Sequence, residues 1–502
     1  MSFSKSVSPI QILNPMFQIG CFIDILTGTY YLDERGDSNL NGGLPDMFGI
    51  VGVMDSWKTT VLIKFNINVL DRYAIASSTV YDSEATHKYM RINELAADSY
   101  TLKDIDFCNP DDINRYRFTI TSFSEVDELG RVQWLDIMMD NLGKYATQKS
   151  SNKKPTLYTT PFIEGSSFIT IREVDIVNID SFGQSKISTI ENGVKTKNKV
   201  GDSEQNTASM DEGRYKTNIN NLMPSISRRG EIRFGLTTHI QKETNMEGKF
   251  AVKKEKLTHT KSGYELKGVG TSYQKLCSWI IEINKSEKFD NETANTGVYY
   301  PLVESDRSKD CKDLNLLTCV MTRNKNGAHG TSFKYVVSQR EGLKEHLSMF
   351  HHLKENKWGL VSDSFPTALI LRPDVKLNRT TVRGIIDNDY LLKRALEIET
   401  DMYWMGIVFS PAAKEHLCTP KELYEDIIKL GYNWDTLLGK TRGYWIPREF
   451  DNDNLPPLST MSLLRMRKGI YTPFWLKTDY INSTSGFLKE TLLSIPPKEL
   501  KG

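Results

Sequence analysis

The stretch Met47-Phe-Gly-Ile-Val-Gly52-Val-Met-Asp-Ser-Trp57-Lys58-Thr59-Thr60-Val61-Leu-Ile-Lys-Phe-Asn-Ile67 decides how the rest of the chain is read. A strand-like apolar run enters a short polar turn, and the turn ends in Lys-Thr-Thr at the head of a second apolar stretch. That arrangement is a phosphate-binding loop: backbone N–H groups wrap a phosphate, while the lysine and a hydroxyl reach the phosphates and a Mg²⁺ ion. The full pattern asks for Gly, four residues, Gly, Lys and Ser or Thr. Gly52, Lys58 and Thr59 meet it, and Trp57 stands where the second glycine belongs. Gly52, Ser56, Trp57, Lys58, Thr59 and Thr60 are therefore the candidate nucleotide-binding residues, against the alternative of a plain turn.

The chain of 502 residues is long enough for two or three domains of roughly 100–200 residues each. Its 64 Lys and Arg against 63 Asp and Glu leave a formal charge of +1, so any contact with nucleic acid has to come from local patches. The six cysteines, Cys21, Cys108, Cys277, Cys311, Cys319 and Cys418, show no CxxC pair and no regular spacing. This argues against a zinc site or a disulfide framework and for a reducing compartment. No window approaches the roughly 18 uninterrupted apolar residues of a membrane helix, and the first residues lack an apolar signal region. The expectation is a soluble, cytoplasmic protein with no membrane partner.

From about residue 47 to 335 apolar β-rich runs alternate with helical patterns, the signature of βαβ units and a parallel sheet. The runs are Phe48 to Val53, Ser78 to Tyr81, Val174 to Ile179, Ile232 to Thr238, Ser278 to Ile283 and Leu316 to Met321. Val132 to Leu142 reads as an amphipathic helix packed on the sheet. The polar break Lys149-Ser-Ser-Asn-Lys-Lys-Pro155, inside a long segment from Arg91 to Arg172, suggests an inserted hairpin or surface excursion. Two stretches, Ser185 to Lys216 and Gln241 to Gly268, resist regular assignment, and irregular segments of that length are commonly functional.

The second strand runs out into Asp82-Ser-Glu84 and the third into Asp180-Ser-Phe182, so carboxylates emerge at the C-terminal edge where an open α/β sheet binds ligands. A phosphohydrolase site needs a phosphate cradle, a carboxylate that holds Mg²⁺ through water, and a second carboxylate to orient or deprotonate the attacking water. Lys58 with Thr59, Asp180 and Glu84 have those chemistries, with Thr59 and Asp180 as the metal pair. The competing reading makes Asp82 and Glu84 caps of the following helix.

In order and spacing, residues 40 to 335 resemble a RecA-type recombinase, and within that family the phage UvsX branch. The resemblance is carried by the phosphate loop, Asp82-Ser-Glu84, Ile179-Asp180-Ser181, Leu236-Thr-Thr-His239 and Arg323-Asn-Lys325. It implies that Glu84 serves catalysis and that His239 is a sensor coupling nucleotide state to DNA, against a satisfied core histidine. It also implies that Arg323 and Lys325 reach a neighbouring subunit's nucleotide, against a solvated turn. The irregular stretches fall where the family keeps its two DNA-binding loops. The second carries Lys242, Lys249, Lys253, Lys254, Lys256, Lys261 and Lys267 with Phe250 and Tyr264 interleaved, seven lysines against four glutamates. Cations that track phosphates and rings that stack on bases suit single-strand binding. The first stretch, with six basic residues against five acidic ones, is less pointed.

The expected fold is α/β: a RecA-like P-loop ATPase core over 40–335 with a mostly parallel sheet flanked by helices, a short N-terminal segment over 1–39, and an α+β C-terminal domain over 336–502. That last part holds two loosely similar segments, around Lys357-Trp-Gly-Leu-Val361 and Gly443-Tyr-Trp-Ile-Pro-Arg448, and a basic run at Arg465, Arg467 and Lys468 that is a candidate duplex-DNA contact. The expected function is a phage-type DNA recombinase: a DNA-dependent ATPase using ATP and Mg²⁺, binding single-stranded DNA and homologous duplex DNA, and assembling as a homo-oligomeric filament or ring. The alternatives are a RecA-fold scaffold with little turnover, for which Trp57 speaks, and a hexameric replicative helicase.

Overall fold

The computed structural model of the chain describes residues 15–33, 35–122, 134–152, 157–164, 167–188, 190, 205–243, 257–290, 297–409, 414–450 and 455–473. An N-terminal helix, α1 (Phe22–Thr27), leads into a small hairpin of β1 (Thr29–Leu32) and β2 (Ser38–Asn41). The main sheet then begins with β3 (Met47–Gly52), followed by α2 (Lys58–Arg72), β4 (Ala76–Asp82), α3 (Tyr89–Ala96) and β5 (Phe118–Ser122). After α4 (Leu135–Ser151) and a separate hairpin of β6 (Leu157–Glu164) and β7 (Ser167–Ile171) come β8 (Val174–Asp180), α5 (Gln205–Gly230) and β9 (Ile232–Lys242). The chain continues through β10 (Tyr264–Leu266), α6 (Thr271–Leu276), β11 (Trp279–Lys288), β12 (Leu314–Asn324), β13 (Ser332–Ser338) and β14 (Gly342–Leu343).

These strands form one 10-stranded mixed sheet in the order β14-β13-β12-β11-β3-β9-β8-β4-β5, with β10 paired to β9. From β11 to β5 every neighbouring pair is parallel, and from β11 outward to β14 every pair is antiparallel. The protein is thus α/β, with a large sheet flanked by helices. The reason β3 reads as an unbroken apolar run is that both its faces are covered. Phe48 and Ile50 join one apolar cluster with α2 residues such as Leu62 and Phe65. Met47 and Val51 join the other with Leu135, Met138 and Met139 of α4 and Ile219, Met223 and Ile226 of α5. Alternate side chains point to opposite faces, so one strand feeds both cores, each buried Leu or Phe contributing about 1.5–3 kcal/mol. At the β5 edge the Tyr89 hydroxyl accepts from Ile120 N (3.0 Å), occupying a backbone group that another strand would otherwise meet.

Beyond the sheet lie α7 (Glu345–Glu355), a hairpin of β15 (Thr367–Leu369) and β16 (Arg372–Leu377), α8 (Val382–Asn388), α9 (Tyr390–Val408), α10 (Pro420–Lys429), α11 (Trp434–Gly439) and α12 (Thr460–Arg467). Among the described residues these are helices with a single strand pair, packed beyond the main sheet. No gap in packing marks residue 336, because β13 passes through it and one apolar cluster runs from Phe17 through the sheet to Trp445 and Leu464. Phe17 is likewise core: it is fully buried and meets Tyr73 edge-on (5.0 Å) and Trp445 at a tilt (5.6 Å). The β6–β7 hairpin follows the polar break at 149–155 and bridges to the C-terminal half, with Phe162 against Trp445 (5.3 Å) and Glu449 accepting from Tyr158 N (3.0 Å). One expectation is corrected: Ser185 to Lys216 is not irregular throughout, since α5 starts at Gln205. Its packing residues Ile219, Met223 and Ile226 lie beyond that window, so the polar first turns carry no periodic signal of their own.

No helix among the described residues is long and apolar enough to cross a membrane.

Candidate functional site

The chain leaves β3 through α2 toward β4 and later returns to set β9 and β11 on either side of β3. The crevice at the C-terminal end of β3 is therefore a topological switch point, the place where open α/β sheets bind ligands. The turn from Val53 to Trp57 fills it. Gly52 is required here, because a Cβ would come within 2.5 Å of Ser56 Oγ and 3.1 Å of Ile283 O. Asp55 and Trp57 take left-handed backbone angles, φ 56° and φ 66°, and Trp57 is the N-cap of α2. The loop thus keeps at Trp57 a conformation that favours glycine, at a cost of about 1–2 kcal/mol for a side chain with a Cβ. No side chain caps α2 and its first turn holds no acid, so its leading amides face the loop as a ready anion site.

Lys58, the first residue of α2, folds back over this loop. Its Nζ donates to Val53 O (2.6 Å) and Ser56 Oγ (3.3 Å). Burial lowers its pKa, with Asp180, Glu84 and Asp55 pulling the other way. Thr60 is half-buried on the first turn of α2.

Asp180, the last residue of β8, is the centre of the polar cluster. Thr59 Oγ1 donates to its Oδ2 (2.5 Å), Thr237 Oγ1 donates to its Oδ1, and His87 Nε2 lies 3.0 Å from Oδ2. Burial pushes this carboxyl up, but those three partners hold it below the usual carboxylate value. Burial likewise pulls His87 down, and Asp180, Asp82 and Glu84 outweigh it, so the imidazole is raised above its ordinary value. The ends of β4 and β8 are stapled, with Ser83 N donating to Asp180 O (2.7 Å) and Ser181 N to Ser83 Oγ (2.8 Å).

Asp82 shapes the next turn by accepting from Glu84 N (3.0 Å) and His87 N (2.7 Å). Glu84 does not cap the following helix. Its Oε1 meets His239 Nε2 (3.3 Å), joining the two residues expected to act as base and sensor; His239 lies within β9, which runs on to Lys242 rather than ending at the histidine. Neither the imidazole at 87 nor the hydroxyl at 237 was singled out from the sequence. The Asp-x-Glu-x-x-His spacing held the first in plain view, and the second lies inside the quoted Leu236-Thr-Thr-His239.

Arg323 and Lys325 lie at the other edge of the sheet. Arg323 is opposite Ile280, which pairs with Gly49 near the start of β3, whereas the loop follows Gly52 at its end. Arg323 Nε donates to Cys277 O (2.9 Å) and its Nη2 to Lys275 O (2.9 Å), while Lys325 Nζ donates to Leu276 O (2.8 Å). Both close the C-terminal end of α6 in their own chain, and neither joins Lys58, Asp180 and Glu84.

Of the expected DNA-contacting residues, Lys249, Phe250, Lys253, Lys254 and Lys256 lie outside the described residues. Lys242 is exposed at the end of β9, and Lys261 Nζ sits 4.6 Å over the Tyr264 ring. The bases of the two long stretches are joined. Lys267 N donates to His239 O (2.8 Å), Thr238 Oγ1 donates to Lys267 O (2.9 Å), and Gly268, at φ +68°, backs onto Gly183, where a Cβ would meet Gly183 O at 2.5 Å. The candidate duplex contacts are committed within the chain: Arg465 to Gly36 O (2.8 Å), Arg467 to Asp426 (2.6 Å) and Lys468 to Glu415 O (2.5 Å).

Among the described residues no group of three or more His, Cys, Asp or Glu side chains stands ready to hold a metal alone. A cation at Thr59 and Asp180 would need oxygens from its ligand, which is how Mg²⁺ is bound in phosphate sites. A cavity of about 550 Å³, lined by residues that include Tyr30, Phe409, Met461 and Arg465, lies away from this cluster. Neither a protein-family model nor a curated protein sequence matches this chain, so the functional reading rests on the residues themselves.

Proposed function

We propose that this chain is a RecA-type, phage-like DNA recombinase: a DNA-dependent ATPase that binds single-stranded DNA and pairs it with a homologous duplex. The observation that carries the reading is the Thr59 Oγ1–Asp180 Oδ2 hydrogen bond of 2.5 Å, which joins the phosphate loop to a strand-end carboxylate 121 residues away. Glu84 and His239 flank that pair. Support also comes from the strand order, with the loop strand β3 separated by β9 from the carboxylate strand β8.

Bound ATP with Mg²⁺ supplies the transferable phosphoryl group and a cation that neutralises its developing charge. Lys58 leaves Val53 O and Ser56 Oγ to meet the phosphates. Because the Thr59 hydroxyl donates its hydrogen bond to Asp180, its lone pairs stay free for the cation. Glu84 takes the proton of the attacking water, a role worth about 10²–10⁴ in rate. His239 reports the state of that carboxylate to Lys267 and the basic loop through its own backbone carbonyl. Arg323 and Lys325 act on a nucleotide only when a second copy brings one to the opposite sheet edge.

Single-strand binding titrated with salt, in ATP and in ADP, tests this. Tighter binding in ATP, with a salt slope reduced by replacing Lys253, Lys254 and Lys256 with Ala, is the expected result. Equal affinity in both nucleotides, or an unchanged slope, would contradict it. The second reading, a scaffold with little turnover, is favoured by the left-handed Trp57 and by Lys58 closed onto its own loop. The helicase alternative is separated by electron microscopy: open filaments support the recombinase and closed rings the helicase.

A further inference from the structure

The geometry points to His87 as a positioning residue of the cation site, holding the Asp180 carboxylate so that the Thr59 hydroxyl presents its lone pairs to Mg²⁺ bound with a nucleotide. The inference rests on the nucleotide reading above and deepens it. His87 lies in the short link between β4 and α3, and its side chain is 1% exposed. Two contacts fix it from different directions. Its backbone N donates to Asp82 Oδ2 (2.7 Å), and its Nε2 lies 3.0 Å from Asp180 Oδ2. That is the same oxygen that accepts the Thr59 hydroxyl at 2.5 Å. Asp180 Oδ2 being an acceptor in both contacts, Nε2 carries the proton.

The buried Nδ1 meets no hydrogen-bond partner among the described residues, so the ring is positioned through Nε2 on Asp180 and through the backbone N on Asp82. Thr237 anchors Oδ1 from β9 on the other side of the carboxylate. The three donors together fix the plane of Asp180 without placing a Lys or Arg against it, so its negative charge stays available to a cation. Partners of this outer kind typically change metal affinity about 10–100-fold when removed.

The test is the Mg²⁺ dependence of fluorescent-ATP binding to the full chain, measured beside binding in EDTA and with folding followed by circular dichroism. His87→Leu is expected to raise the half-saturating Mg²⁺ concentration about 10-fold or more while leaving EDTA binding unchanged. His87→Gln, whose amide N–H takes the place of Nε2–H, is expected to restore it. Should His87→Leu not fold, the pair His87→Gln and His87→Asn carries the test, since the shorter amide does not reach Asp180. An unchanged Mg²⁺ dependence in folded His87→Leu or His87→Asn, or an equal loss with and without Mg²⁺, overturns the positioning role and leaves the nucleotide reading standing. A wild-type chain that binds no nucleotide with Mg²⁺ overturns both.

Discussion

Two buried carboxylates in this chain are held in opposite ways. Asp180, at the end of β8, is surrounded by two threonine hydroxyls and an imidazole. Asp313, just ahead of β12, accepts from Arg340 Nη2 (3.1 Å), Arg383 Nη1 (2.7 Å) and Ser338 Oγ (2.7 Å), and Arg383 also reaches Glu341. The second arrangement cancels charge where β12, β13 and α8 meet and locks those elements together. The first faces two hydroxyls and one imidazole and, among the described residues, no guanidinium. On the proposed reading, a buried carboxylate with no guanidinium or ammonium bonded to it suits a cation that arrives with a ligand.

The contrast breaks most readily at Arg383. Arg383→Ala leaves Asp313 with Arg340 and Glu341 with Lys344 but removes the guanidinium that joins them, and is expected to cost about 3 kcal/mol of stability in denaturant melts. Asp180→Asn is expected to abolish Mg²⁺-dependent nucleotide binding at little cost in stability. Similar stability losses in the two variants would erase the distinction.

Acid sharpens the same contrast. Burial pushes Asp313 up, but Arg340 and Arg383 hold it at about 2, below the ordinary 3.8. A depressed folded value stabilises the protein above the ordinary value and loses that stability as pH falls through the folded one. Melting temperature should therefore drop between about pH 4 and pH 2, less steeply in Asp313→Asn. Identical slopes would show that Asp313 does not carry the effect.

At the loop, Trp57→Gly should stabilise the fold by about 1–2 kcal/mol in denaturant melts through relief of the left-handed backbone. Lower stability would mean that the indole supports the cradle. The smallest effect is expected at Arg323→Ala, about 0.5 kcal/mol on melts of the isolated chain, because one guanidinium contact is exposed and the other only partly buried. A large stability loss would make Arg323 a fold-holding residue rather than one poised for a second copy.

The sequence made the strands at the switch point visible because Met47 to Val51 is apolar throughout, and in Val174 to Ile179 the apolar residues Val174 and Ile176 join one cluster while Val177 and Ile179 join the other. Their order was not visible, since the insertion of β9 between β3 and β8 depends on pairings far apart in the chain. The same division runs through the site. Lys58 and Thr59 open α2 and Asp180 closes β8, where local pattern points to them, while Glu84 follows β4 by two residues and His239 lies within β9. His87 sits alone in a link and gains meaning only from Asp180 across the sheet. The start of α5 was missed because its polar turns are held by Ile219, Met223 and Ile226 further on. Arg323 and Lys325 carry charges that local pattern reads, but their place at the far edge follows from the antiparallel register of β12 on β11.

The central claim, that these residues form a DNA-responsive ATPase site, is tested most directly by ATP hydrolysis of the full chain with and without single-stranded DNA, beside Glu84→Gln. The account predicts hydrolysis stimulated by DNA that falls about 10²–10⁴-fold in the variant while nucleotide binding persists. Hydrolysis absent in both conditions, or equal in wild type and Glu84→Gln, would contradict it.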